Sequence, residues 1–383
     1  MKLLIFLLKF GLPLLVVTDL SSQLYSSPLL LNLSRGLRIL ILILFIIENF
    51  RNFNIIRKFK FFNYFLLFNF ILFLFLFTDR DFFEGFWIYS KILFWTLGLN
   101  VLFAYAFKGI FLFEDFLNVI KRIAIAAFFF TILFVITGFI KDDYNIAAYL
   151  VLFIYPIILY STKGFNYNLF YVLISALAIL ITLKRGAILA FSIANVLYYF
   201  NTLYYDFRVK KLMRGVFILL SLCVIGFFIY EQQKEVIGNR FSEEQFDPDN
   251  EKAGSGRVGM YTRLYETWYE SDNWIFGFGN QEDSRRTQFR RTHAHSDIFG
   301  FLYNYGLVGI GLLIIMYIKL IFFFKNLKNL GLNHTYIGAS LITILILVNF
   351  YSGLLRSTEA FYLFAILPYL QIKKFEKTNS NYF

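Results

Sequence analysis

Charge is what this chain has least of. Asp, Glu, Lys and Arg together supply 16% of its 383 residues, against about a quarter in a soluble domain. That leaves too little polar cover for a molecule surrounded by water. Cysteine is nearly absent: the single Cys223 lies within an apolar run, which excludes an internal disulfide and a cysteine metal cluster. Proline occurs only 5 times, so few of the long apolar runs are interrupted. What is there instead is grease. Hydrophobic residues make up 58% of the chain, mean hydropathy is +0.62, and apolar runs recur from end to end, as in a polytopic membrane protein. The net charge of +12 would suit nucleic acid in a soluble protein. In a membrane protein it is read as anchoring charge on the cytoplasmic side, and no nucleic-acid partner is expected. The 52 Phe and 26 Tyr are read as lipid-facing packing and interfacial belts.

The N-terminal "MKLLIFLLKFGLPLLVV" has the charged start and apolar centre of a signal peptide. No small-residue cleavage site follows, and it is read as a retained first helix. Hydropathy predicts an all-α fold with spans near 3–17, 28–47, 61–77, 86–107, 119–140, 144–160, 166–183, 186–200, 212–230, 299–323, 335–351 and 359–372. Segments 51–60, 108–122, 206–214, 325–330 and 373–377 are basic. They alternate with the neutral or acidic segments 78–85, 141–143 and 351–359. By the positive-inside rule the basic set is cytoplasmic, which gives both termini to that side and about twelve spans. The expected organisation is therefore transmembrane helices over 1–230, a periplasmic loop over 231–296, and three more helices with a cytoplasmic tail over 297–383.

Two features then fall on the outer side. One is "TLKRGAIL" (182–189), a tight turn whose Lys184 and Arg185 break the charge rule. A charge at a helix centre is costly, about 2.5–3.5 kcal/mol on insertion scales, and is a functional hint unless the side chain snorkels to headgroups. Lys184 is assigned to snorkelling. The other feature is the long loop. Within it Met260, Leu264, Thr267 and Trp268 recur at helical spacing, which predicts an amphipathic helix over a cavity or on the membrane. "NEKAGSGRVG" (250–259) reads as a Gly/Ser turn that delivers Arg257 to the start of that helix. Gly277 and Gly279 in "NWIFGFGNQ" permit positive φ and close backbone approach. Tyr261, Tyr265, Trp268 and Tyr269 offer rings on which a sugar could stack.

The acidic residues of the loop cluster early and its arginines late. Arg285, Arg286, Arg290 and Arg291 stand just before His293 and His295. Guanidinium groups stay charged and bind phosphate oxygens bidentately, so this edge suits a diphosphate. Anionic headgroups would satisfy Arg285 and Arg286 equally well. In an extended segment His293, His295 and Asp297 would share a face, as metal ligands do. No further histidine, cysteine or carboxylate constellation completes such a site, and Ser296 or Asp297 reads as the N-cap of the following helix. A histidine at a helix N-terminus is held neutral by the dipole, which is the form a general base needs. Its plainer reading is a hydrogen-bonding interfacial residue.

Three blocks, in order, resemble the O-antigen ligase and O-antigen polymerase superfamily of membrane glycosyltransferases. "TLKRGAIL" resembles a T-x-S-R-G turn, with Lys184 in place of Ser. "SGRVGMYTRLYETWYESDNWIFGFGN" resembles a periplasmic block opening with Arg and closing in a P-x-x-G-x-G-like turn, with Asn273 and Trp274 where Pro is common. "HSDIFGFLYNYGLVGIGLL" resembles an H-[NSQ]-x9-G-x-x-G signature through His295, Ser296, Gly306 and Gly309. The resemblance implies metal-independent, inverting transfer with no cofactor. The donor would be an undecaprenyl-diphosphate-linked glycan, and the acceptor a lipid A core or another glycan, at the periplasmic face of the bacterial inner membrane. It makes His295 the base and gives Arg185 and Arg257 the lipid diphosphate. Arg286, Arg290, Arg291, His293, Gly277 and Gly279 are further substrate-binding candidates.

Ligase and polymerase share this chemistry and differ in acceptor; the spacing leans to the ligase. A transporter or flippase of lipid-linked sugars would call for internal repeats and broken helices at mid-membrane, and no repeat between halves is seen. A receptor with a sensor loop would leave the arginines and His295 unexplained.

Overall fold

Inside a bilayer no water is present to pair backbone N–H and C=O groups, so a chain this apolar satisfies them within helices. The structure, a computed structural model, describes residues 1–25, 27–78, 82–136, 145–161, 165–182, 184–205, 209, 213, 253–279, 283, 296–327, 330 and 332–380. Among these, helices dominate and no strand occurs. α1 runs through Lys2–Phe6, a π-helical stretch Leu7–Gly11, and Leu12–Tyr25. It is followed by α2 (Pro28–Arg51), α3 (Phe62–Phe75), α4 (Phe82–Phe107) and α5 (Phe113–Ile136). Then come α6 (Asn145–Ser161), α7 (Phe165–Ile181) and α8 (Arg185–Tyr205). α9 (Ala253–Tyr269), α10 (Asp297–Lys325), α11 (Leu332–Tyr351) and α12 (Ile366–Ser380) complete the set.

Among the described residues five helical stretches are long and apolar enough to cross a membrane: Lys2–Ser22, Pro28–Arg51, Phe82–Phe107, Phe113–Phe134 and Asp297–Lys325. Five more are apolar but shorter, within α3, α6, α7, α8 and α11. The expected span at 212–230 lies outside the described residues, apart from Met213. The expected span at 359–372 is divided into Ala360–Phe364 and α12. Pro368 has no N–H to offer the Phe364 carbonyl one turn back, and the helix breaks between them.

α4 is the central helix, buried without interruption from Gly98 to Ala106, and it packs on α2, α12 and the short helix Ala360–Phe364. α8 lies along α11, and Ser340 donates to the Ala194 carbonyl at 3.1 Å. Four of the five basic segments meet at one end of the bundle. Lys108 Nζ donates to Asn52 Oδ1 at 2.5 Å, Gln371 Nε2 to the Lys58 carbonyl at 2.8 Å, and Lys374 Nζ to the Asn326 carbonyl at 3.1 Å. α10 ends there at Lys325, so its first residue, Asp297, lies at the opposite end.

Candidate active site

The start of α10 is held by a dense set of hydrogen bonds. Ser296 is its N-cap, as its residue type predicts: its Oγ accepts the Phe299 N–H at 3.3 Å and donates to the Asn349 carbonyl at 2.7 Å. Asp297 Oδ2 accepts from the backbone N–H groups of Leu354 and Leu355 at 2.6 and 2.7 Å. Arg356 lies across this first turn. Its Nη1 meets Asp283 Oδ2 at 2.8 Å, its Nε faces Asp297 Oδ1 at 3.7 Å, and its Nη2 donates to the Ser296 carbonyl at 3.4 Å. The guanidinium leaves no room for a side chain at position 300, which is Gly300. Burial opposes the charge of Arg356, but the carboxylates of Asp283 and Asp297 outweigh it and hold the pKa above its ordinary value.

Asp283 is in turn fixed by Asn304, which donates to Asp283 Oδ1 at 3.0 Å and accepts its backbone N–H at 3.0 Å. Just beyond, α10 is broken at Gly306, whose φ of 59° and ψ of −150° are not helical. The break frees two carbonyls and two N–H groups, and the turn 273–279 takes up all four. Phe278 and Gly279 donate to the Tyr303 and Asn304 carbonyls at 3.0 and 2.9 Å. Leu307 and Val308 donate to the Trp274 and Ile275 carbonyls, both at 3.1 Å. The turn and the kink fit together only without side chains. A Cβ on Gly277 (φ 71°) would lie 2.5 Å from the Asn304 carbonyl carbon, and one on Gly306 would run into the Ile275 carbonyl.

α9 carries Leu264 and Trp268 against Tyr303, with Met260 beside them, which is the face its spacing predicts. Tyr261 stacks on Phe299 with ring centroids 4.4 Å apart, and its hydroxyl donates to the Phe350 carbonyl at 3.1 Å. The expected Gly/Ser turn before Arg257 is helix from Ala253 onward. Helical glycines cost about 1 kcal/mol each relative to alanine; the docking of α9 on α10 offsets that local preference.

Two of the three blocks singled out from sequence meet the last turn of α11. Ser296 is bonded to Asn349. Arg257 stands one helical turn before Tyr261, which is bonded to Phe350. Arg185 is the first residue of α8, after Lys184, whose carbonyl accepts the Ile188 N–H at 2.9 Å. α8 packs along α11 and is joined to it by the Ala194–Ser340 hydrogen bond. The N–H groups of Gly277 and Gly279 are taken by the Asn273 and Asn304 carbonyls at 2.6 and 2.9 Å, so these glycines shape the site rather than present donors to a ligand. His295 directly precedes Ser296. His295, His293, Arg285, Arg286, Arg290 and Arg291, and the side chain of Arg185, lie outside the described residues.

Residues 170–314 match the family described as O-antigen ligase. Over this segment the chain is similar to the O-antigen ligase and polymerase superfamily. The segment runs from α7 past the kink of α10, and so contains the Arg185 turn, the Arg257 helix, the glycine turn and the Ser296 cap. No curated protein matches the chain. Members of this superfamily are membrane glycosyltransferases of the ligase and polymerase type, which agrees with the apolar helices. Arg356 and Asn349 lie beyond the matched segment, and they, with Asp283, are the residues the sequence reading missed. The one signal for Arg356 was a lone arginine in the short segment 351–359.

Proposed function

We infer that this protein is an O-antigen ligase-like glycosyltransferase that moves a glycan from undecaprenyl diphosphate to an acceptor hydroxyl, a lipid A core or another surface glycan, without metal. The meeting of the Arg257 helix and Ser296 on one turn of α11 carries the reading. In it, His295 accepts the proton of the acceptor hydroxyl. The freed oxygen attacks the anomeric carbon from the face opposite the diphosphate, the carbon–oxygen bond to the diphosphate breaks, and configuration inverts. Arg185 and Arg257 hold the departing diphosphate and its growing charge, with Arg286, Arg290, Arg291 and His293 along the same edge. The Arg356 cluster fixes Ser296, and through it the backbone that delivers His295.

On this reading about twelve helices span the bacterial inner membrane, the end that gathers the basic segments is cytoplasmic together with both termini, and 231–296 is a periplasmic loop. A polymerase would use the same machinery on a lipid-linked acceptor. A lipid-linked sugar flippase would need no base at position 295. Surface glycans run on a gel from a strain lacking the protein separate the three. Long glycans left on the lipid carrier with a bare acceptor support the ligase. Single repeats on the normal acceptor make the protein a polymerase. Glycans trapped on the cytoplasmic side would overturn the transfer reading in favour of the flippase.

A further inference from the structure

A second group of charges lies at the same end of the bundle, on helices that the transfer chemistry does not use. The indole of Trp87 on α4 is approached by three cations: Arg35 and Arg38 of α2, both 5.6 Å from the ring centroid, and Lys91 of α4 at 5.7 Å. Among the described residues the carboxylate in ion-pair contact with this group is Asp19 of α1, 2.9 Å from Arg38. Its other oxygen accepts from the Ser34 hydroxyl. Asp19 is thus committed to Arg38, while among the described residues Arg35 and Lys91 have no carboxylate in ion-pair contact. Arg38 Nε is itself buried with no hydrogen-bond partner. Glu359 faces the group at longer range.

Depth argues that these cations meet something. Arg35 is the eighth residue of α2 and Lys91 the tenth of α4, so each Cα is about 10–14 Å along its helix at 1.5 Å per residue. That is at or just below headgroup level in a bilayer whose apolar core is about 30 Å thick. Cations at such depth are costly unless they reach an anion or the interface. Cation–π contact with one indole offsets part of this, but three like charges around it also repel one another.

The neighbouring surface indicates the kind of anion. Ile39, Ile43 and Ile47 follow Arg35 at four-residue spacing on the outward face of α2, and are 46%, 49% and 45% exposed. An exposed arginine at the head of an apolar stripe matches a headgroup above a hydrocarbon tail. On its other side the group leads inward, because Lys91 is within electrostatic reach of Arg356, which holds Ser296.

We propose that Arg35, Lys91 and Trp87 form a binding site for the phosphate of a membrane lipid whose tail lies along Ile39, Ile43 and Ile47. The inference rests on the proposed function only in taking that lipid to be the polyprenyl carrier of the donor. The site would then receive the carrier phosphate from the bilayer beside the Arg356 cluster.

The test is lipid binding by the purified full chain in detergent, read by native mass spectrometry and by the ligand-induced shift in melting. Undecaprenyl phosphate, phosphatidylglycerol, phosphatidylcholine and inorganic pyrophosphate are titrated separately. Wild type is expected to bind undecaprenyl phosphate saturably. The Arg35→Gln/Lys91→Gln variant should need at least about tenfold more lipid, whereas Arg35→Lys/Lys91→Arg should stay within about threefold of wild type. A preference for undecaprenyl phosphate over phosphatidylglycerol identifies a carrier site, and equal binding identifies a general anionic-lipid site. Wild-type binding by the glutamine variant overturns the proposal, and so does an equal effect from pyrophosphate alone. Without lipid the glutamine variant should melt no lower than wild type, since among the described residues the cations it loses have no carboxylate in ion-pair contact; a lower melting point there assigns them a structural role and also overturns it. Because no transfer is measured, failure here is distinct from failure of the proposed reaction.

Discussion

Arg356→Gln removes the cation at the centre of the cluster that holds the start of α10. Arg356 and its partner Asp283 are 5% and 0% exposed as side chains, and Asp297 is fully buried as well. The cluster holds one cation and two carboxylates. Removing the cation leaves two buried carboxylates without it, with Asn304 and two backbone N–H groups among their remaining partners. Breaking a buried pair in this way costs about 3–5 kcal/mol, about two to three and a half decades in an equilibrium constant. The loss is expected as a lower melting point of the purified protein in detergent and as faster proteolysis within 273–283, because Asp283 and the turn would be released together. Adding Asp283→Asn returns the cluster to its original net charge and should recover at least half of the loss. If Arg356→Gln melts like wild type, or the double variant is no better than the single, the cluster does not hold the start of α10 by charge pairing, and the reasoning fails.

Gly306→Ala should loosen the same region by a different route, because its positive φ and the Ile275 carbonyl both oppose a side chain; a loss above about 1 kcal/mol is expected. Gly311→Ala on the same helix, where an added Cβ meets nothing within 4 Å, should be neutral or gain up to about 1 kcal/mol. Equal melting of the two variants would contradict the interlocked turn. Trp268→Ala removes the largest side chain that α9 packs on Tyr303, together with its 3.1 Å hydrogen bond to the Trp274 carbonyl. A loss of about 3–5 kcal/mol is expected, seen as selective proteolysis of α9 while the apolar helices stay protected. Uniform protection would show that α9 docks by other contacts.

The parts of this architecture that were legible in the sequence rest on local chemistry. Ser296 announces a cap because its hydroxyl can take an orphan N–H two or three residues on. Met260, Leu264 and Trp268 announce a face because helical spacing puts them on one side. Gly277 and Gly306 were legible as glycines of a motif, but not their union, because each is explained by the other across the fold. Arg356 was not legible as a site residue, since its partner Asp283 is 73 positions away and neither lies in a recognisable pattern. The helical start of α9 was misread because Gly254, Gly256 and Gly259 speak locally for a turn, while docking of Tyr261 and Trp268 decides the matter tertiarily. The division before α12 was available in Pro368, but hydropathy alone reads through it.

The central claim is that the backbone clamped at Ser296 delivers His295 as the base of glycan transfer. The most direct measurement complements a strain lacking the protein with His295→Ala and compares its surface glycans on a gel with wild type at matched membrane abundance. The account expects wild-type levels of inserted protein and no glycan on the acceptor. A full ladder from the His295→Ala strain would contradict it, and would remove His295 from the reaction.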